Sequence, residues 1–262
     1  MNTKVPYVSR LSVYPIKALD GIRVKQVTIL ESGALKGDRE FAIVDESNQF
    51  VNGKRHDSIH VLRAQFTQDN SLISLQIQGT ERQEKFDVFQ ERKALEGWLS
   101  DYFGFAVWLK QNQEMGFPDD TISPGPTIVS TATLEEITSW YPGLKVEEMR
   151  RRFRANIEIA GVPAFWEDRL FGETGQSINF QVGNVQFIGV NPCQRCIVVT
   201  RDSQTGLVDL NFQKTFVKKR QKTLPTWAEI SQFNHFFRLA INTRLPISEA
   251  DKKIGLGDVV KI

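Results

Sequence analysis

"NPCQRCIVVT", residues 191–200, holds both cysteines of the 262-residue chain within four positions, with an arginine between them. How it reads decides what kind of fold the second half forms. A thioredoxin-type dithiol sets its reactive cysteine at a helix N-terminus, which lowers the thiol pKa. Here a β-branched, strand-forming run, IVVT, follows Cys196 instead. A structural zinc site needs two further soft or imidazole ligands, and His56, His60 and His235 are scattered along the chain. Two further readings stand beside the dithiol and the zinc site. Either one thiolate ligates a soft or redox-active metal carried by a larger organic cofactor, with Arg195 favouring the thiolate, or both cysteines pack as small apolar residues at a strand start.

Outward from this stretch the chain reads as mainly β. In the first half, "YVSRLSVY", "VKQVTIL", "EFAIVD", "IHVLRAQF" and "LISLQI" are β-branched and aromatic runs, separated by turn residues as in a meander or barrel. Leu95, Leu99 and Tyr102 fall at helical spacing and predict a helix over 89–103. Residues 115–127, with three prolines and two glycines, form a loop, and the division into 1–118 and 119–262 is placed there. Beyond it, Thr133 with Glu136 reads as a capping box, "NIEIA" as a strand, "INFQVGNVQFIGV" as a hairpin turning at Gly183–Asn184, and "CIVVT" and "DVVKI" as strands. "LPTWAEISQFNHFFRLAI" is apolar all round and fits helix or strand.

Composition narrows the function. Lys plus Arg number 33 against 31 Asp plus Glu, a net charge of +2 that gives no broad face for nucleic acid. No apolar run is long enough to span a membrane. Two cysteines and no charged, apolar leader point to a reducing, cytoplasmic setting. GxGxxG and GxxxxGK[ST] are absent, which argues against a dinucleotide fold and a P-loop. Anion binding is therefore local. "RRFRAN", residues 151–156, sets three arginines and an amide before a strand, and forked guanidinium groups suit phosphate. "YPIK" at 14–17 and "KGDRE" at 36–40 bring further cations to strand ends, while Lys218, Lys219, Arg220 and Lys222 read as a solvated face.

In order along the chain, "YPIKALDG", "GDREFAIVD", "DDTISP", "RRFRANIEI" with "WEDR", "NPCQRCIVVTRDSQTG" and "IGLGDVVKI" resemble the MOSC family with its N-terminal β-barrel domain, the group that includes the mitochondrial amidoxime-reducing component. The resemblance implies an α+β fold, mainly β with a few helices, in which a MOSC-type β-barrel domain joins an N-terminal β-barrel-like domain. It implies molybdenum cofactor, a metal held by the dithiolene of a phosphorylated pterin, and reduction of N-hydroxylated compounds with electrons from a separate carrier protein. By position, Cys196 becomes the molybdenum ligand and catalytic residue. Lys17, Arg39, Arg154, Asn156 and Arg195 hold pterin and phosphate, and Asp120, Thr121 and Ser123 form the loop beside them. Ala18 and Gln194 stand where relatives carry small hydroxyl residues. The rival implied function is a non-catalytic carrier of the cofactor or its sulfur.

Overall fold

The computed structural model describes residues 5–262. In chain order the elements are β1 (Tyr7–Val13), β2 (Ile22–Val24), β3 (Gln26–Thr28), β4 (Phe41–Asp45), β5 (Leu62–Phe66), β6 (Leu72–Ile77), β7 (Gln83–Asp87), α1 (Arg92–Phe103) and β8 (Val107–Gln111). There follow β9 (Ile128–Ser130), α2 (Thr131–Ser139), α3 (Val146–Phe153), β10 (Ile157–Ala160), β11 (Ile178–Val182), β12 (Val185–Gln194), α4 (Phe212–Lys222), β13 (Arg238–Arg244), β14 (Lys253–Gly255) and β15 (Val260–Lys261). The fold is mainly β with four α-helices, as the composition of the runs predicts. Among the described residues no helix is long and apolar enough to cross a membrane.

The largest sheet has eight strands in the order β15-β11-β12-β13-β9-β10-β1-β2. All its pairings are antiparallel except β9 with β10. Two first-half strands cross to second-half partners: β1 pairs with β10, Leu11 opposite Ile157, and β3 pairs with β14. Of the other first-half strands, β2 pairs with β1 at the sheet's edge, and the rest form β4-β8 and β5-β6-β7. Alternation explains the cores. Val8, Leu11, Ile157, Ile159, Phe180 and Phe187 fill one cluster, while Phe41, Ile43, Leu62, Ile73 and Leu75 fill another against Leu95 and Leu99 of α1. A third, aromatic cluster joins α3 to α4, with Tyr141 stacked 4.3 Å from Phe212.

Several expectations change. The helix predicted from residue 89 starts at Arg92, because the Asp87 carboxylate accepts from the Phe89 and Gln90 amides and holds them in a turn. Ser130, not Thr133, caps α2: its hydroxyl accepts from the Thr133 amide at 3.1 Å. "IVVT" is a 3-10 helix rather than a strand. The chain leaves the sheet at Gln194 and folds back, and the Thr200 hydroxyl bonds the Ile197 carbonyl at 2.7 Å. The ambiguous 224–241 stretch is irregular with a short 3-10 turn, and becomes strand only at Arg238. Nor is the 218–222 cluster wholly solvated. Arg220 is 1% exposed, paired with Asp168 and laid over Phe165 at 4.2 Å.

Next to that pair lies a second buried carboxyl, Glu167. One of its oxygens accepts from the Thr133 hydroxyl at 3.0 Å and the other has no partner. Burial, reinforced by Asp168, pushes its pKa up to about 7 from 4.5. A carboxyl whose folded pKa lies above its unfolded one binds more protons when folded, so stability falls as pH rises from about 4.5 to about 7. Glu167→Gln should remove this contribution. Urea titrations at pH 5 and pH 8 are expected to show the variant losing roughly 3 kcal/mol less than wild type between the two.

Candidate functional site

The strand ends that carry the basic motifs meet around one cavity of about 580 Å³. Two backbone contacts bring "YPIK" and "KGDRE" together: the Lys17 amide donates to the Phe41 carbonyl and the Arg39 amide to the Tyr14 carbonyl, both at 2.7 Å. Lys17 Nζ donates to the Asp119 carboxylate at 2.6 Å and the Phe117 carbonyl at 2.9 Å. Arg39, in the left-handed region at φ 51°, pairs with Asp38.

Arg154 ends α3 in the same conformation, φ 52° and ψ 42°, which turns its side chain off the helix and toward Tyr14. The Tyr14 ring lies 4.1 Å from the Arg154 guanidinium and 5.3 Å from that of Arg39. Among the described residues the Arg154 guanidinium has no ion pair and no hydrogen bond, and its Nη2 is buried without a partner. Burial lowers its pKa. Asn156, 2% exposed, spends its amide on the backbone: Nδ2 donates to the Ser12 carbonyl at 3.2 Å and Oδ1 accepts from the Thr127 amide at 3.1 Å. It reaches the cavity wall while stitching β1 to the approach of β9.

The β12 strand delivers the cysteines. Arg195 Nη2 donates to the Phe153 carbonyl at 2.7 Å, its guanidinium lies 5.3 Å from the Phe153 ring, and its Nε is unpartnered. Cys196 is half-buried on the wall. Cys193 is buried, and its thiol donates to Asn242 Oδ1 at 2.8 Å. Burial pushes its pKa up to about 11, against the pull of Arg195. Its purpose, open in the sequence, is that of a protonated, hydrogen-bonded core group.

Of the expected site residues, Lys17, Arg39, Asp120, Ser123, Arg154, Asn156, Arg195 and Cys196 all line the cavity, and Thr121 does not. Asp120 holds its loop by accepting from the Ile122 and Ser123 amides, and the Ser123 hydroxyl accepts from Arg244. Lining residues beyond the expected set include His60, Arg63, Arg152, Arg201 and Arg238, of which Arg152 and Arg201 lie inside "RRFRAN" and "NPCQRCIVVTRDSQTG". In all, ten Lys and Arg side chains face the cavity against four aspartates. Buried, unpartnered nitrogens on Arg152, Arg195, Arg201 and Arg238 add to that of Arg154. Such donors ordinarily find acceptors, so the wall fits a polar, multiply anionic ligand. A phosphorylated pterin whose metal takes a thiolate matches this donor set.

A cation-rich cavity with a half-buried thiol on its wall suits an anionic ligand. Residues 5–104 match the MOSC N-terminal beta barrel domain and residues 127–261 match the MOSC domain; the chain belongs to the MOSC family. It is 26% identical to mitochondrial amidoxime reducing component 2 of Bos taurus, over 79% of this chain and 69% of that protein. The human amidoxime reducing component 2 is 23% identical, over 89% and 78%. A molybdenum cofactor sulfurase of Caenorhabditis elegans is 25% identical over 78% of this chain, which spans only 30% of the sulfurase's length. Among solved structures, the YUAD protein of Bacillus subtilis aligns over 97% of this chain with 10% identity and a TM-score of 0.37, a likeness too loose to add to the assignment.

The two thiols should differ in reactivity. Iodoacetamide at pH 8 is expected to label Cys196 and leave Cys193 unmodified in the native protein, with peptide mass spectrometry as the readout. Equal labelling of both would contradict the buried thiol of Cys193.

Proposed function

We propose that this protein is a molybdenum-cofactor-dependent oxidoreductase that reduces N-hydroxylated compounds such as hydroxylamines and amidoximes. The observation that carries the proposal is the half-buried thiol of Cys196 on a wall where guanidinium groups outnumber their carboxylate partners. Likeness to the amidoxime reducing components supports the choice of reaction. When bound, molybdenum cofactor supplies two-electron chemistry with oxygen transfer.

The chain's own residues bind and orient. Cys196 would hold the metal through its sulfur, and Arg195, the next residue back, lines the same cavity. Arg39 and Arg154 flank the Tyr14 ring, with Arg39 also paired to Asp38, and Lys17 lines the same cavity; together they offer donors to phosphate. Asp120 and Ser123 shape the loop along the cavity edge. Asn156 fixes the strand start that carries these groups, and its backbone bonds make it a positioning residue. Cys193 takes no part in redox, because a buried thiol with a raised pKa is a poor nucleophile. The overall reduction consumes two electrons and two protons and releases water, and the electrons come from a separate carrier protein.

The test is purification from a host that makes molybdenum cofactor, followed by measurement of bound molybdenum and of benzamidoxime reduction with an artificial donor. Cys196→Ser should abolish turnover, and Cys193→Ser should keep most of it. Arg154→Gln should lower molybdenum occupancy about tenfold or more, the scale of a lost charge-assisted contact. Wild type without molybdenum would overturn the proposal. Full molybdenum occupancy without turnover would favour cofactor carriage, the second reading, to which likeness to the sulfurases lends support.

A further inference from the structure

The cavity holds more positive charge than one phosphate uses. Lys17, Arg39, Arg154 and Arg195 already surround the phosphate position proposed above, and a phosphate monoester carries only about two negative charges near neutrality. A second group of donors, His60, Arg63 and Arg201, lines the same cavity and is not among the groups proposed to hold the phosphate.

Their placement is built by packing between distant segments. Arg63 Nη2 donates to the His60 carbonyl at 2.6 Å. Arg201 Nη1 donates to the Gly206 carbonyl at 2.9 Å, and a methyl at Gly206 would stand 3.4 Å from His60 Cβ. Gly53 completes the corner: a methyl there would stand 2.5 Å from His60 Nε2 and 3.4 Å from Val198. The 3-10 helix at 57–60 is thereby packed on the segment that leaves Cys196. Within this corner Arg63 Nε, His60 Nε2 and Arg201 Nε are each buried without a partner. Asp20 lies 3.4 Å from Arg63 and offsets one charge. Arg201 has no carboxylate within ion-pair distance among the described residues. Burial, with Arg201 next in effect, lowers the His60 pKa, which leaves a neutral ring able to donate one N–H.

We propose that His60, Arg63 and Arg201 form a second anion subsite that receives an acidic group of the substrate, a carboxylate or phosphate, so that the preferred N-hydroxylated substrates are themselves anionic. This rests on the function proposed above. Arg201 lies a short way along the chain from Cys196, just past the 3-10 helix that Cys196 begins, which places the anionic group of the substrate within the same cavity as the proposed metal ligand. An alternative source of the same chemistry is a longer, nucleotide-extended cofactor whose second phosphate would occupy the corner.

The test uses the cofactor-loaded protein and two probes, benzamidoxime and 4-carboxybenzamidoxime, with equilibrium binding by calorimetry, reduction, and molybdenum content measured side by side. Wild type should bind the carboxylated probe about tenfold or more tightly than the neutral one, the scale of a charge-assisted contact. Arg201→Gln should erase most of that advantage at full molybdenum occupancy, and Arg201→Lys should restore part of it. The proposal is overturned if wild type shows no preference, if Arg201→Gln retains it, or if Arg201→Gln loses molybdenum in proportion, which would assign the corner to the cofactor. Preferential binding without reduction of either probe would sink the proposed reaction and leave the subsite standing. Reduction of both probes without preference would do the reverse.

Discussion

A guanidinium without a counter-ion is the constraint around which the rest of this molecule is arranged. Removing an unpaired cation from water costs several kcal/mol, and Arg154 is buried enough for its pKa to fall while none of the described carboxylates pairs with it. The fold sustains it through geometry. Helix α3 stops in a left-handed turn, β1 ends where Tyr14 lies beneath the guanidinium, and Asn156 ties the two chain segments together by their backbones. Each device makes sense if the missing negative charge arrives with a ligand. Without one, Arg154 would face the like charge of Arg39 across a single ring, and only the Asp38 partner of Arg39 would offset it.

The paired cysteines show how three positions divide two chemistries. On an extended strand, side chains alternate between faces, but β12 ends at Gln194 and the chain turns before Cys196. Both cysteines line the cavity, but Cys193 stays buried with the sheet and donates a hydrogen bond to Asn242, while Cys196 stands half-buried at the turn. A dithiol pair would need both sulfurs in one environment. The sheet supplies two.

Much of this was legible in the order of residues. Period-two runs located β1, β4, β5 and β6, the Gly183–Asn184 turn located the hairpin of β11 and β12, and the cationic motifs located most of one cavity wall. The failures have physical causes. "QEKFD" is too polar to read as a strand, yet it is an outer strand paired on one side only. "IVVT" has β propensity that a local hydroxyl bond and burial of Val199 override. Arg220 looks like its lysine neighbours until a carboxyl 52 positions away is seen beside it. The meeting of His60, Arg63 and Arg201 was hidden for the same reason: it exists only through glycine-lined packing between segments far apart in sequence.

The crossing of β1 to β10 also has a meaning in time. Leu11 leaves the ribosome long before its partner Ile157, so the first strand, paired early with β2 on one edge, must wait on its other edge until the chain has passed well beyond residue 119. Tyr14 and Lys17 hang from the end of that strand, and Arg154 precedes β10. The anion-binding wall can therefore not form as an early, self-sufficient unit during synthesis. Its assembly reports that the chain has joined both halves of its largest sheet, and cofactor capture becomes a late event that only the completed fold can perform.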